Sequence, residues 1–403
     1  MAMNEPSSVS RFRQYLKINT MQPKPDYAKC ADFLIDQAKE IGLEYSILEC
    51  VEGKPFVIMK LEGSDSSAKS ILLSSHTDVV PVFEERWTHP PFGAERVLME
   101  NGDYKIYARG AQDMKNTGSM YLEAMRNIKA SGKKLKRNVY IIFSPDEEIG
   151  SIDGVNKFIE TQEFSDMNIG FDLDEGGGLP APFSAVFYAE RTNCQLKFTA
   201  HGNTGHGSQF IEGTAIEKLL PVINAMMERR AKEKAVMDSF EEASRLLRSG
   251  EVTSINLTQL EGGKQPNVVP ATFSAMFDIR VSPNVDLAEF KKFVSDLAAE
   301  NGVELEFNRP HETTSKTPLD RSNIFIDTFF KSLDQQNFAY KPVVLPANTD
   351  ARFIRQKGIP AFGFNPMQNT PILAHNHDEF IFESEYIKGI PIYTQLIQDL
   401  ANC

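Results

Sequence analysis

The chain has 403 residues, of which 41% are hydrophobic and 24% charged, with a formal net charge of −12. This length exceeds one ordinary core, so we expect two or three domains in a water-soluble globular protein. The acidic excess argues against a nucleic-acid partner and against an anionic membrane surface. Because the chain has neither an apolar signal segment nor a membrane-spanning stretch, and its four cysteines have no paired spacing, we expect a cytoplasmic protein.

The first part of the chain alternates helices with strands that are almost entirely apolar. Asp26 and Gly42 are typical of the start and the end of a helix. Strand and helix in alternation predict an α/β domain whose sheet is covered on both faces. The predicted elements are a helix over about 27–41, strands near 46–50, 56–61 and 70–75, a helix near 116–131 and a strand over 139–144.

From about residue 188 the predicted order becomes β-α-β-β-α-β, which is that of the ferredoxin-like motif. After about residue 315 the alternation of helices and strands resumes. Candidate metal ligands occur on both sides of this block, so the two flanking parts must meet in space. We therefore interpret residues 188–310 as an α+β domain inserted into a catalytic α/β domain formed by 1–187 and 311–403.

Five separated segments contain the residue types that bind divalent metals. Two imidazoles and three carboxylates suit two adjacent cations if one carboxylate bridges them, which indicates hydrolysis by a metal-activated water. The spacing does not decide between Asp174 and Glu175, or between His375 and His377. Each residue also has a plainer alternative, such as a core histidine, a helix-capping aspartate or an acidic loop. The candidate ligands are His76, Asp113, Glu148, Glu175 and His375.

The triplet Asp146-Glu147-Glu148 follows a buried strand and is the strongest local signal. Three adjacent acids repel one another at the end of such a strand unless a cation compensates their charge. We assign Glu148 to the metal and leave Glu147 as the general base. Asp78 lies two residues beyond His76, on the same face of an extended chain, and is expected to orient the imidazole.

His206 occurs in the glycine-framed loop Gly-Asn-Thr-Gly-His-Gly-Ser. There it can donate a hydrogen bond to an oxyanion, although an exposed histidine in a glycine turn is an equally simple interpretation.

Seven motifs resemble those of the di-zinc amidohydrolase family that includes aminoacylases, acetylornithine deacetylases, succinyl-diaminopimelate desuccinylases and carboxypeptidase G. The resemblance covers about residues 8–400 and is closest to the aminoacylases, as in FRQYLKINTMQPKPDY and NTDARFIR. The motifs are, in chain order, SSHTDVVPV, ARGAQDMK, PDEEIG, LDEG, GHGS, PNVVPA and HNHDE.

The resemblance implies two zinc ions per subunit and a role for each site residue. His76 and Glu175 hold one zinc, Glu148 and His375 hold the other, and Asp113 bridges them and is followed by a cis peptide bond. The remaining implied roles are support of His76 by Asp78, acid/base catalysis by Glu147, oxyanion stabilisation by His206 from the partner subunit, and binding of the substrate carboxylate by Asn267 and Arg352.

The same resemblance implies that the inserted domain is a lid and joins a homodimer. It implies an enzyme that hydrolyses small N-acyl-L-amino acids to a carboxylic acid and a free L-amino acid. A dipeptidase or carboxypeptidase of the same family, or an enzyme that prefers fatty-acyl amino acids, is the alternative. A non-catalytic binding protein would require a broken ligand set, and none of these motifs is broken.

Overall fold

The computed structural model describes residues 5–308 and 316–403. Its α-helices are α1 (Ser7–Leu16), α2 (Tyr27–Ile41), α3 (Lys115–Ser131), α4 (Val155–Phe158), α5 (Gln162–Asp166), α6 (Ala215–Ser239), α7 (Glu242–Arg248), α8 (Leu287–Glu300), α9 (Ile324–Gln335), α10 (Ala351–Gln356) and α11 (Glu383–Asn402). Among these described helices, none combines the length and the apolar character that crossing a lipid bilayer requires.

The described β-strands are β1 (Glu44–Glu49), β2 (Pro55–Leu61), β3 (Ser70–His76), β4 (Glu95–Leu98), β5 (Tyr104–Tyr107), β6 (Val139–Ser144), β7 (Ile169–Asp174), β8 (Ser184–Glu190), β9 (Thr192–Asn193), β10 (Leu196–His201), β11 (Gly205–His206), β12 (Ser254–Gly262), β13 (Val268–Val269), β14 (Thr272–Val281), β15 (Glu304–Phe307), β16 (Tyr340–Leu345), β17 (Ala361–Phe364) and β18 (Phe380–Phe382).

The chain divides into two compact units. One takes in the described residues up to Tyr188, together with Thr317–Pro342 and Thr349–Cys403. The other takes in the described residues of Ala189–Lys316, together with Val343–Asn348. The first unit therefore ends one residue after the junction expected from the sequence. The second expected junction, after residue 310, lies outside the described residues.

The segment Val343–Asn348 belongs to the second unit, which the sequence did not indicate. Its backbone and side chains bond to the strand-rich part of that unit. The guanidinium of Arg191 donates to the carbonyl of Pro346 at 2.7 Å, and the side-chain amide of Asn348 donates to the carbonyl of Arg191 at 2.6 Å. These bonds attach the segment to a residue far away in the sequence, so no local pattern predicts them.

The first unit contains an eight-stranded sheet in the order β1-β2-β6-β3-β7-β17-β8-β16, with β8 as far as Tyr188 and β16 as far as Pro342. Strands β6, β3, β7 and β17 are parallel, with His76 opposite Ser144 in the register of β3 and β6. Alternate side chains of β3 enter different cores: Ile71 and Leu73 pack with α1, α2, α3, α9 and α11, and Leu72 packs with α4, α5 and α10. The predicted α/β sheet with two covered faces is confirmed.

A smaller sheet in the order β18-β5-β4 also belongs to the first unit. It pairs the strand before Asp113 with the strand that follows His375, since Tyr107 of β5 lies opposite Phe380 of β18. This pairing brings two distant parts of the chain, both with candidate ligands, to the same place.

The second unit has the order β10-α6-β12-β14-α8-β15 along the chain, with the strands arranged β12-β14-β10-β15 in an antiparallel sheet. This is the strand order of the ferredoxin-like motif. Phe198, Phe277 and Phe290 are fully or almost fully buried between its sheet and helices. The unit therefore has a hydrophobic core of its own.

Candidate metal centre and catalytic site

His76 is the last residue of β3, and its two ring nitrogens have different partners. Nδ1 lies 2.9 Å from the backbone carbonyl of Asp78, so it carries the proton that it donates there. Nε2 lies 3.0 Å from Oδ1 of Asp113 and 3.7 Å from Oε2 of Glu175. In the neutral ring, the lone pair of Nε2 therefore points at two carboxylates, an arrangement that a cation between these groups would stabilise.

Asp113 presents one carboxylate oxygen to each of two histidines. While Oδ1 faces His76, Oδ2 lies 3.1 Å from Nε2 of His375. The same nitrogen of His375 lies 3.1 Å from Oε2 of Glu148. The bond from Asp113 to Met114 is a cis peptide. Asp113 thus lies between two groups of ligand atoms, as a bridging carboxylate would.

These side chains fit a pair of divalent cations that share Asp113. Two ligand atoms on one tetrahedral zinc ion, each about 2.0–2.1 Å from it, lie about 3.3 Å apart. The pairs that join His76 or His375 to Asp113, Glu148 and Glu175 are 3.0–3.7 Å apart. In addition, Oε1 of Glu148 is buried without a hydrogen-bond partner among the described residues. A bound cation would satisfy that oxygen.

The structure places Glu175 and His375, rather than the alternatives that spacing left open, beside Asp113 and His76. Glu175 directly follows β7, and His76 with Glu147 and Glu175 offers three ligand atoms within 4.8 Å of one another. Asp174 is the last residue of β7 and is only 2% exposed.

The side chain of His375 is 56% exposed and that of His76 is 1% exposed, so solvent reaches the centre on the His375 side.

The site has an excess of negative charge. Burial, reinforced by neighbouring carboxylates, raises the pKa values of Glu147 and Glu175 well above their usual range. Hydrogen bonds to Asp113 and Glu148 raise the pKa of His375 to about 10. All these shifts express a preference for additional positive charge at the centre.

Asp78 differs from its predicted role in one respect. The group within hydrogen-bonding distance of His76 is the backbone carbonyl of Asp78, whereas the Asp78 carboxylate lies 3.6 Å from Nδ1. That carboxylate, which is fully buried, instead accepts from the backbone N–H groups of Glu147 at 3.1 Å and Glu148 at 3.2 Å, and from the side chain of Gln22 at 2.9 Å. It therefore fixes the turn that presents Glu147 and Glu148.

The residues that hold the neighbouring Asp146 were not among the candidates predicted from the sequence. The hydroxyl of Tyr27 donates to its carboxylate at 2.7 Å, Gln22 donates at 3.1 Å, and the ammonium group of Lys54 lies 2.6 Å away. No spacing in the sequence links the N-terminal segment to residue 146, so only the fold reveals this network.

Two predicted site residues lie in the second unit. His206 belongs to β11, which pairs with β13, and Asn267 precedes β13 and accepts a hydrogen bond from the N–H of Gly207 at 2.8 Å. Nδ1 of His206 accepts from the backbone N–H of Ser208 at 3.2 Å. The neutral imidazole consequently carries its proton on Nε2. His206 and Asn267 are both exposed and are neighbours of each other.

Arg352 lies in α10 of the first unit and is only 3% exposed. Its guanidinium donates to the backbone carbonyls of Thr349 at 2.5 Å and Gly150 at 3.1 Å. These contacts support the polypeptide around the site, and the predicted contact with a substrate carboxylate stays a prediction.

The sequence profile described as Peptidase family M20/M25/M40 matches residues 72–399. The chain belongs to this family. Aminoacylase-1 from Sus scrofa is 44% identical over 400 residues, which cover 99% of this chain and 96% of that protein.

Two solved structures have the same fold at low sequence identity. An M20 family metallo-carboxypeptidase from Sulfolobus solfataricus has a TM-score of 0.73 at 17% identity and covers 98% of this chain and 100% of its own. A dinuclear metal-binding peptidase of the M20 family from Bacillus subtilis has a TM-score of 0.69 at 15% identity and covers 98% of this chain and 96% of its own. The fold is therefore that of the M20 peptidases.

Proposed function

We propose that this protein hydrolyses the amide bond of N-acyl-L-amino acids and releases a carboxylic acid and a free L-amino acid. The observation that carries the proposal is the position of Asp113 between His76 and His375, with Glu147 beside this group. Similarity to aminoacylase-1 over nearly the whole chain supports the choice of acyl amino acids as the substrate class.

We propose two zinc ions as the cofactors. His76, Asp113 and Glu175 would hold one ion, and Asp113, Glu148 and His375 would hold the other. Imidazole and carboxylate ligands suit zinc, and also cobalt or manganese. Two such ions, when bound, supply a lowered pKa for the attacking water and polarise the acyl carbonyl.

Glu147 is the proposed general base and acid. Its carboxylate lies in the same group of ligand atoms as His76 and Glu175, and its backbone N–H is held by Asp78 at 3.1 Å. The carboxylate takes a proton from the attacking water and later gives that proton to the leaving amine, so one side chain serves both halves of the reaction.

His206, which would reach the site from the partner subunit of the proposed homodimer, is the proposed donor to the oxyanion of the tetrahedral intermediate. Because Nδ1 accepts from Ser208, the Nε2–H group is free to donate. A preorganised donor of this kind is typically worth about 3–4 kcal/mol of transition-state stabilisation. Asn267 lies beside this loop and is proposed, with Arg352, as a contact for the substrate carboxylate.

We also propose a cytoplasmic homodimer joined through the second unit, which would act as a lid. Seven large apolar side chains among the described residues of that unit are exposed, and exposed apolar surface is typical of an interaction site. These residues are Phe210, Leu220, Met227, Val236, Leu246, Leu260 and Val268. Sedimentation equilibrium tests this proposal, and a monomer at micromolar concentration would contradict it.

A substrate panel tests the proposed activity. Purified protein is assayed with acetyl-L-methionine, with a long-chain acyl-L-methionine and with methionine-containing dipeptides, each with and without a chelator. We expect chelator-sensitive hydrolysis of the acyl amino acids and weak hydrolysis of the dipeptides. Faster hydrolysis of the dipeptides would overturn the assignment and indicate a peptidase.

A further inference from the structure

One buried carboxylate holds the turn that leads into Asp113. The carboxylate of Glu379, which is fully buried, accepts from the guanidinium of Arg109 at 2.6 Å. It also accepts from the backbone N–H groups of Gly110 at 3.2 Å and Gln112 at 2.6 Å. Both oxygens are used, so Glu379 fixes the position and the direction of the chain immediately before Asp113.

The side chain of Gln112 continues this network toward His375. Its amide group donates to the carbonyls of Pro371 at 2.9 Å and Phe380 at 2.8 Å, and its oxygen accepts from the N–H of Leu373 at 2.8 Å. These three bonds reach both ends of the segment that carries His375. Both N–H groups and the oxygen of one amide thus hold two parts of the chain together.

We propose that Glu379 and Gln112 are positioning residues that set the separation of Asp113 and His375, and thereby the affinity of the cation site formed by Asp113, Glu148 and His375. This inference rests on the proposed function, because it assumes that these side chains bind a cation. Neither Glu379 nor Gln112 is assigned a contact with the metal or the substrate.

The physical reason is the narrow range of separations that a cation accepts. Oδ2 of Asp113 and Nε2 of His375 are 3.1 Å apart, close to the spacing of about 3.3 Å for two ligands of one tetrahedral zinc ion. Asp113 and His375 belong to different loops, and the side chain of His375 is 56% exposed, so packing around it is limited. Removing bonds between the two loops would let this separation vary. Loss of such supporting contacts typically weakens metal binding by about 10–100-fold.

The chain offers a matched control for the loss of a buried ion pair. Glu383 pairs with Arg96 through two contacts of 2.5 and 2.8 Å, and its side chain is 6% exposed. This pair lies in the same unit, and among the described residues neither side chain forms a hydrogen bond or ion pair with the turn before Asp113. Glu383→Gln therefore removes a comparable charge while the hydrogen bonds of Glu379 and Gln112 stay in place.

The test compares wild type with Glu379→Gln, Gln112→Met and Glu383→Gln. In Glu379→Gln, an amide NH₂ group replaces one carboxylate oxygen and therefore faces an N–H donor to that oxygen in the wild type, so at least one hydrogen bond is lost. Gln112→Met keeps the side-chain size but removes all three bonds to the His375 segment. Zn²⁺ affinities are measured by competition with a chromophoric chelator, and the visible spectrum of the Co²⁺-substituted protein reports ligand geometry.

For wild type we expect two tightly bound ions. In Glu379→Gln and in Gln112→Met we expect one of the two to bind about 10–100-fold more weakly, with an altered Co²⁺ spectrum. Glu383→Gln is expected to lower the thermal midpoint while both affinities stay unchanged. If Glu379→Gln fails to fold, Gln112→Met decides the question alone.

The inference is overturned if the Glu379 and Gln112 variants bind both ions as wild type does and lose only stability, as the Glu383 variant does. Failure of the proposed function gives a different result, because wild-type protein would then either bind no zinc or bind zinc and hydrolyse dipeptides faster than acyl amino acids.

Discussion

Replacing Asp78 by asparagine tests how the site is held, because the two side chains have nearly the same size. Oδ1 of Asp78 accepts from the N–H of Glu147 at 3.1 Å, and Oδ2 accepts from the N–H of Glu148 at 3.2 Å and from Gln22 at 2.9 Å. An asparagine replaces one of these oxygens by an NH₂ group, which faces a donor. At least one hydrogen bond to a charged group is lost, and a buried N–H is left without a partner.

A hydrogen bond to a charged group contributes about 1.5–3 kcal/mol, and a buried unsatisfied donor costs about 1–3 kcal/mol. We therefore expect Asp78→Asn to lower the free energy of unfolding of the metal-free protein by about 3 kcal/mol. Trp87 is the single tryptophan and lies in the same unit, so its fluorescence during urea titration reports this change.

The control is Asp65→Asn, because Asp65 also accepts backbone N–H groups, from Ser67 and Ala68, but lies near the surface. We expect a much smaller shift of the urea midpoint for that variant. With metal present, Asp78→Asn should also lower kcat/KM by about 10–100-fold, since the turn that presents Glu147 and Glu148 is released. An Asp78→Asn protein with the wild-type midpoint and full activity would refute this reasoning.

Three further predictions concern catalysis. Glu147→Gln should keep its zinc content and lose about 10²–10⁴-fold in kcat, because the proton carrier is removed; retained turnover in a steady-state assay would contradict that role. His206→Asn should lower kcat by about 10²–10³-fold at unchanged zinc affinity. The control is His201→Asn, at another exposed histidine of the same unit, which should leave kcat unaltered. Equal effects of the two substitutions on kcat would remove His206 from the oxyanion site. Removing zinc by dialysis against a chelator should abolish hydrolysis and lower the midpoint temperature of unfolding. Added Zn²⁺ should restore both. Full activity in protein that elemental analysis shows to be metal-free would exclude the proposed cofactor.

The parts of the site that could be predicted from sequence lie at the ends of apolar strands. His76 ends β3, Glu148 follows β6 and Glu175 follows β7, and these strands are parallel neighbours. Since parallel strands end at the same edge of a sheet, residues beyond their carboxyl ends meet there. Chain order and apolar character were therefore sufficient to group His76 and Glu148 with the Asp174–Glu175 pair, whereas the choice of Glu175 within that pair came from the family resemblance.

The supporting contacts could not be predicted in this way. Gln22, Gln112 and Glu379 act through partners that are distant in sequence, so their positions within or beside a motif do not show which groups they hold. The contact of His76 with the carbonyl of Asp78, rather than with its carboxylate, depends on the backbone path after the strand. Such details arise from the three-dimensional arrangement and leave no periodic pattern.

The strand order of the large sheet has a consequence for synthesis on the ribosome. Strand β17 lies between β7 and β8, although it is made only after the whole second unit. At translation rates of 5–20 residues per second, the nascent chain waits about 10–40 s between completing β7 and completing β17. During that interval the edge of β7 lacks its native neighbour, so its unpaired backbone N–H and C=O groups are exposed to pairing with other strands.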